Sequence, residues 1–124
     1  MGDLQAFLRD AFIIDAELMG ADILPDHVID LGPGGQKFIA LQIKTTQGAA
    51  LPDHVGVVRW EVANAALDIT TFAAKGSYAI VAGAEINQME DNITTSARFL
   101  RVWYDRTSGG DDDTLNIVVH TCAG

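Results

Sequence analysis

The chain has 124 residues, a formal net charge of −9 and a single cysteine. Its length fits one domain with a core of its own, and 48% apolar with 20% charged residues is typical of a globular protein. One cysteine excludes an intrachain disulfide and fits synthesis in a reducing cytosol. The chain has 17 acidic and 8 basic residues, and this negative charge repels the phosphates of nucleic acids. No apolar run approaches the roughly 20 residues that span a bilayer. We therefore expect neither nucleic acid nor membrane as a direct partner.

The N-terminal stretch "MGDLQAFLRD" is amphipathic and lacks the basic-then-apolar order of a signal peptide. Asp3 is a suitable N-cap, and five apolar residues then recur at helical spacing: Leu4, Phe7, Leu8, Ala11 and Phe12. The next segment, "FIIDAELMGADI", fits neither the helical nor the strand period. These features predict an arm or short helix over residues 1–27 that precedes a second unit, residues 28–124.

Residues 28–124 contain short β-favouring segments separated by turn-like clusters. Alternation predicts that Leu100, Val102 and Tyr104 face one way and Arg101, Trp103 and Asp105 the other. The predicted strands are "HVIDL", "FIALQIKTT", "VGVVRWEVAN", "LDITTF", "SYAIVAG", "RFLRVWYDRT" and "TLNIVVHT", the last two joined by an "SGGDDD" hairpin loop. The expected fold is therefore all-β, an antiparallel, jelly-roll-like β-sandwich of about seven to eight strands.

The pentapeptide "LPDHV" occurs twice, at Leu24–Val28 and Leu51–Val55. Because Pro-Asp favours turns and the following residues favour strands, we predict that each copy leads the chain into a strand. The alternative is a divalent metal site formed by the residues His27, His54, His120, Asp26 and Asp53. No HxH or HExxH spacing supports this alternative, so we expect no metal.

The run "DDDT" starts at Asp111 and offers carboxylates of the kind that calcium prefers. The alternating D-x-D-x-D-G spacing of a calcium loop is absent, so we predict a solvated hairpin tip. Cys122 has no evident base, and "GPGG" lacks the lysine of a phosphate-binding loop. The chain is therefore expected to be neither an enzyme nor a cofactor-binding protein.

Trp103 lies between Arg101 and Asp105 on the face opposite the predicted core. A tryptophan beside an arginine is the composition of an interface hot spot. The alternative is that the opposite sheet or the N-terminal arm covers Trp103. The sequence leaves both possibilities open.

Two segments, "HVIDLG" and "RFLRVWYDRTSG", together with the order of the strands between them, resemble the cement or decoration proteins that coat the heads of tailed bacteriophages. The resemblance implies a jelly-roll β-sandwich that binds the outside of the capsid as a homodimer or homotrimer and ties neighbouring major capsid subunits together. It implies synthesis in the host cytoplasm, a place on the outer face of the virion and no catalytic residues. It does not account for the amphipathic N-terminus or the acidic "GGDDD" turn.

Under this hypothesis the capsid-facing residues are the apolar N-terminal side chains and two residues of the late strand: Leu4, Phe7, Leu8, Phe12, Ile13, Ile14, Arg101 and Trp103. The alternative function is a carbohydrate- or metal-binding β-sandwich module of a virion, such as a receptor-binding or tail accessory domain. In that case Trp60 or Trp103 would stack on sugar, and His27, His54 or the run Asp111–Asp113 would hold an ion.

Overall fold

The computed structural model describes residues 8–25, 28–49, 51–64 and 72–123, and for residues 8–12, 122 and 123 it describes the backbone alone. No helix long and apolar enough to span a bilayer occurs in these ranges. Eight strands occur: β1 (Leu8–Leu18), β2 (Val28–Asp30), β3 (Lys37–Thr46), β4 (Val55–Ala63), β5 (Ala73–Ile80), β6 (Asn87–Thr95), β7 (Phe99–Ser108) and β8 (Thr114–Ala123).

The strands form two antiparallel sheets of four strands each. The first sheet has the order β1-β8-β3-β6 and the second the order β2-β7-β4-β5. Of the described strands, β4 and β5 are the one pair of chain neighbours that lie side by side. Most pairing is therefore long-range, and the chain crosses repeatedly between the sheets.

The two sheets pack through their apolar faces, because every second side chain of the central strands points inward. The predicted alternation is confirmed for β3, β4, β7 and β8. Burying each large aliphatic side chain contributes about 1.5–3 kcal/mol relative to leaving it in water. The core joins both sheets and includes Leu41, Ile43, Leu115, Ile117, Val58, Trp60, Leu100, Val102 and Tyr104.

The expected N-terminal helix is wrong for the described residues, because residues 8–18 form a strand. β1 pairs antiparallel with β8, from Leu8 opposite Cys122 to Leu18 opposite Thr114. This strand belongs to the first sheet and lies at its edge. The positions of Asp3, Leu4 and Phe7 lie outside the described residues.

Two irregularities in β1 explain why its sequence fits no single period. The register with β8 shifts on both sides of Ile14, and Ala16 adopts a positive φ of 49°. The Ala16 N–H donates to Asn116 Oδ1 at 2.7 Å. Because a bulge adds a residue to one strand only, the adjacent side chains of Ile13 and Ile14 are both buried, 4% and 3% exposed.

Strand β6 was not predicted, and its composition explains the omission. Its sequence, "NQMEDNITT", is mostly polar. The strand lies at the edge of the first sheet, and its Asn92 adopts a positive φ of 60°. The predicted "LDITTF" strand falls almost entirely on residues outside the described ranges.

The predicted hairpin between the last two strands is wrong, since β7 and β8 belong to different sheets. The loop between them bridges one end of the sandwich. Both "LPDHV" copies end, as predicted, at the first residue of a strand, Val28 of β2 and Val55 of β4.

Candidate functional site

The outward face of the second sheet carries Arg101, which lies on β7. Its Nε donates to Glu61 Oε1 on β4 at 2.5 Å, and its guanidinium carbon lies 4.3 Å from the centre of the Phe72 ring. The Arg101 side chain is 12% exposed and that of Glu61 17%. A charge-assisted hydrogen bond and a cation–π contact therefore hold this cation in one position.

Trp103 follows two residues later on the same face and is half-buried. It lies opposite Arg59 of β4, which pairs with Asp105 through Nη2 and Oδ2 at 3.1 Å. The indole Nε1 of Trp103 and the Nη1 of Arg101 are both buried, and neither has a hydrogen-bond partner in the described part of the chain. A buried donor without an acceptor costs about 1–3 kcal/mol, so this face carries polar groups that the described residues leave unsatisfied.

The structure does not bring all the predicted interface residues together. Ile13 and Ile14 lie in the core between the sheets, whereas Arg101 and Trp103 lie on the outward face of the second sheet. The backbone of Leu8 and Phe12 lies in β1, at the edge of the other sheet. Leu4 and Phe7 lie outside the described residues.

One end of the sandwich holds a network of aspartates that cross-link three loops. Asp53 Oδ1 accepts a hydrogen bond from the Gly110 N–H at 2.7 Å, and Asp112 Oδ2 accepts one from the Ala49 N–H at 2.9 Å. Asp22 Oδ1 accepts from the Arg106 N–H at 2.8 Å. The segments after β1, between β3 and β4 and between β7 and β8 are thereby tied to one another.

At the centre of this loop network lies a buried pair, His54 and Asp113. His54 Nδ1 lies 2.8 Å from Asp113 Oδ2, and neither side chain has exposed surface. Since an ionised carboxylate only accepts, the Nδ1–H of His54 is the donor. The Nε2 of His54 is buried, and no described residue hydrogen-bonds to it. Among the described residues, Asp113 is therefore the polar partner of the His54 ring.

The environment of Asp113 favours its ionised form. Burial by itself raises the pKa of this carboxyl, but hydrogen bonds from His54 and from the backbone N–H groups of Gly48 and Asp53 outweigh burial, so the pKa lies below its ordinary value of 3.8. The predicted solvated tip is thus wrong for Asp113, although the Asp111 side chain is 88% exposed. The sequence could not reveal this role, because the three aspartates of the run are identical in type.

Tyr104 of β7 lies beneath the same end of the sandwich. Its ring packs so closely on Gly56 of β4 that an added Cβ there would lie 2.5 Å from three ring and hydroxyl atoms. The hydroxyl is buried without a hydrogen-bond partner among the described residues. Burial raises the pKa of Tyr104 to about 12; the positive charge of Arg106 opposes this shift, and the negative charges of Asp22, Asp105 and Asp113 add to it.

The residues that were considered for a metal or sugar site do not form one site among the described residues. His54 and Asp53 are engaged in the loop network, whereas His120 lies on β8 in the middle of the first sheet. No group of three or more His, Cys, Asp or Glu side chains with metal-binding geometry occurs within the described ranges, and Asp26 and His27 fall outside them. Trp60 is 5% exposed in the core, so its ring offers no surface to a sugar.

Comparison with known proteins shows similarity in fold alone. No protein-family model and no curated protein matches the chain. It is similar to a cleaved adhesin domain of Lys-gingipain from Porphyromonas gingivalis, with 13% identity, a TM-score of 0.54 and coverage of 75% of this chain and 60% of that one. It is also similar to the globular domain of zebrafish complement 1qA protein, with 6% identity, a TM-score of 0.56 and coverage of 94% and 96%.

A weaker similarity is to the structure of infectious bursal disease virus, strain Gx, at 9% identity and a TM-score of 0.47, covering 94% of this chain and 32% of that one. The chain spans less than two thirds of the adhesin domain and about a third of the viral chain. At such identities the adhesin and complement domains show a shared β-sandwich fold and carry no statement of function.

Proposed function

We propose that the chain is a capsid cement protein, which binds the outer surface of a tailed-phage capsid as a homo-oligomer and clamps neighbouring major capsid subunits. One observation carries the proposal. The two segments that resemble cement proteins become adjacent strands, since β2 pairs with β7 through Val28 opposite Arg101 and Asp30 opposite Phe99. The resemblance thus covers one contiguous structural unit.

Side chains reinforce this unit. The guanidinium of Arg98 donates to both carboxylate oxygens of Asp30, through Nε at 3.0 Å and Nη2 at 2.9 Å, and the Leu31 N–H donates to the Arg98 carbonyl at 2.6 Å. A bidentate pair between arginine and carboxylate fixes orientation as well as distance. The "VIDLG" and "RFLRV" motifs are therefore tied together at their ends.

The strand order supports the jelly-roll part of the proposal. Four nested antiparallel pairs occur, β1 with β8, β2 with β7, β3 with β6 and β4 with β5. Rolling such a set of nested pairs into two sheets produces the eight-stranded jelly roll found in many capsid and lectin domains. Because lectins share this architecture, the strand order supports the fold and the motifs support the function.

The outward face of the second sheet is the proposed capsid contact, with Trp103 at its centre and Arg101 beside it. Arg101 is pre-positioned by Glu61 and Phe72, which lowers the side-chain entropy lost on binding. Many such contacts around a shell accumulate avidity, so each can be modest and the clamp still resists pressure from packaged DNA.

The test is a binding experiment with phage heads assembled in the absence of this protein. Purified full-length protein is added, the heads are sedimented, and their resistance to heat and chelator is compared with that of untreated heads. We expect saturable co-sedimentation and a higher disruption temperature. Absence of binding at high protein concentration, or binding to disrupted but not intact heads, would overturn the proposal.

A further inference from the structure

The two central strands of the first sheet, β3 and β8, present an outward face that differs in charge from the rest of the protein. The described outward-facing side chains of β3 and β8 include no carboxylate, in a chain with 17 acidic residues. Lys44, near one end of β3, is the fixed charge that these two strands present on this face. The other described outward-facing residues of these two strands are Phe38, Ala40, Gln42, Thr46, Thr114, Asn116, Val118 and His120.

The same face exposes large apolar side chains. Phe38 on β3 is 46% exposed. Met89 on β6 lies opposite Gln42 of β3 and is 44% exposed. Val118 lies opposite Gln42 on the other side, at the middle of the sheet. A shallow depression lined by Gln42, Lys44, Asn116 and Val118 follows this row. The face therefore combines apolar contact surface with uncharged hydrogen-bonding groups, which is the composition of an interface core.

The second sheet has the opposite character. Its outward face carries the ion pairs Arg59–Asp105, Arg98–Asp30 and Arg101–Glu61. Bringing two such faces together would desolvate several charges on each copy, which costs free energy unless new partners replace water. The two faces of the sandwich are thus suited to different partners.

We propose that the outward face of the first sheet, centred on Gln42 and Val118, is the surface through which copies of this chain associate with one another. A chain of net charge −9 repels its own copies, so homotypic contact is favoured along the centre of this face, where the described side chains of β3 and β8 include no carboxylate. The inference deepens the homo-oligomeric part of the proposed function and leaves the second sheet free for the capsid.

The size of the face agrees with this role. Four strands spaced about 4.8 Å apart and about ten residues long at about 3.3 Å per residue present roughly 600 Å². Two copies would bury about 1,200 Å² in total, the lower limit of a standard specific interface. A dimer through this face alone is therefore expected to dissociate at low concentration, and an arrangement in which each copy meets two others would bury more.

Sedimentation equilibrium of the full-length protein tests the proposal without any capsid. We expect the wild-type chain to self-associate at micromolar concentration and Val118→Glu to raise the dissociation constant at least tenfold, because like charges then meet in the interface. Met89→Glu, at a 44% exposed edge position, should weaken association less and serves if Val118→Glu misfolds. The matched control is Val57→Glu on the outward face of the second sheet, which should associate like wild type.

A charge swap separates an interface effect from a folding defect. Val118→Lys and Val118→Glu should each be monomeric alone and should associate when mixed, since opposite charges then face each other. A wild-type chain that stays monomeric at high concentration, association that survives Val118→Glu, or association lost in Val57→Glu would each overturn the assignment. A monomer that still binds heads would refute this inference and the homo-oligomeric part of the proposed function, and would leave the capsid-binding part standing.

Discussion

His54 Nδ1 and Asp113 Oδ2 lie 2.8 Å apart in a pair with no exposed side-chain surface, although 59 residues separate them in the chain. The pair joins the second "LPDHV" segment to the acidic run before β8. Asp113 also accepts from the Gly48 N–H at 3.1 Å, and its own carbonyl accepts from the Met19 N–H at 2.9 Å. Asp113, which lies in the loop between β7 and β8, therefore holds the β1–β2 and β3–β4 loops in place.

Removing the charge of Asp113 should destabilise the protein. Asp113→Asn leaves His54 without its carboxylate partner in a buried site, and losing a charge-assisted hydrogen bond costs about 1.5–3 kcal/mol. Urea unfolding at neutral pH measures the change. Asp111→Asn is the matched control, because that side chain is 88% exposed and should change the free energy of unfolding by less than about 0.5 kcal/mol. Equal effects of the two substitutions would contradict the buried pair.

The same carboxyl predicts a dependence of stability on acid. The pKa of Asp113 in the folded state is lower than its ordinary value of 3.8, so the unfolded chain binds the proton first. The stabilisation is complete above this ordinary value and is lost as the pH falls through the folded pKa. The free energy of unfolding measured down to about pH 2 should therefore decline less steeply in Asp113→Asn than in the wild type. Parallel curves would show that Asp113 does not contribute.

Tyr104→Phe should leave stability unchanged or raise it by up to about 1 kcal/mol. The hydroxyl is buried, and no described residue pairs with it, so its removal abolishes an unsatisfied polar group while keeping the ring. Because burial raises the pKa of Tyr104 to about 12, the unfolded chain releases this proton first, so the stability of the wild type is unaffected below the ordinary value of 10.0 and declines as the pH rises through about 12. Ultraviolet absorbance of tyrosinate should show a late step that Tyr104→Phe removes.

Ile13 and Ile14 should behave as core residues of the isolated protein. Each is less than 5% exposed, so replacement by alanine should lower the free energy of unfolding by about 2–5 kcal/mol. Leu18→Ala in the same strand is the control, because Leu18 is 60% exposed and should tolerate the change. Thermal unfolding of the purified variants measures the effect. Wild-type stability of Ile13→Ala and Ile14→Ala would instead favour an arm that packs on another protein.

Trp103→Ala should weaken binding to phage heads while the fold persists. A large aromatic residue at the centre of an interface commonly contributes at least about 2 kcal/mol, which is roughly a thirtyfold change in affinity. Co-sedimentation titrations with Trp103→Ala and with Thr107→Ala, an exposed residue further along β7, give the comparison. If both variants bind like wild type, the capsid contact lies elsewhere on the molecule.

Local pattern was sufficient for the central strands. In β3, β4, β7 and β8 the alternation of apolar and polar residues sets which side chains are buried, because successive side chains in a strand point to opposite faces. Both "LPDHV" copies end at the first residue of a strand, Val28 and Val55, which the local preferences of the sequence also predicted. Composition likewise sufficed for an all-β class.

The two edge strands of the first sheet, β1 and β6, did not follow from local pattern. β1 contains two register shifts that break its period, and β6 is polar because few of its side chains are fully buried. Each forms a strand by hydrogen-bonding to a central strand that is distant in sequence: β1 pairs with β8, and β6 pairs with β3. Their conformation is therefore a consequence of pairing more than of intrinsic preference.

The amino-acid sequence by itself determined the class of fold, the inward face of the central strands, and whether each segment is acidic, uncharged or apolar. These properties depend on residues that are only a few positions apart. The tertiary structure alone decided which strands are neighbours, that His54 meets Asp113, and that the two outward faces differ in charge. Such contacts join residues dozens of positions apart, and their free energy exists only once the two sheets have packed.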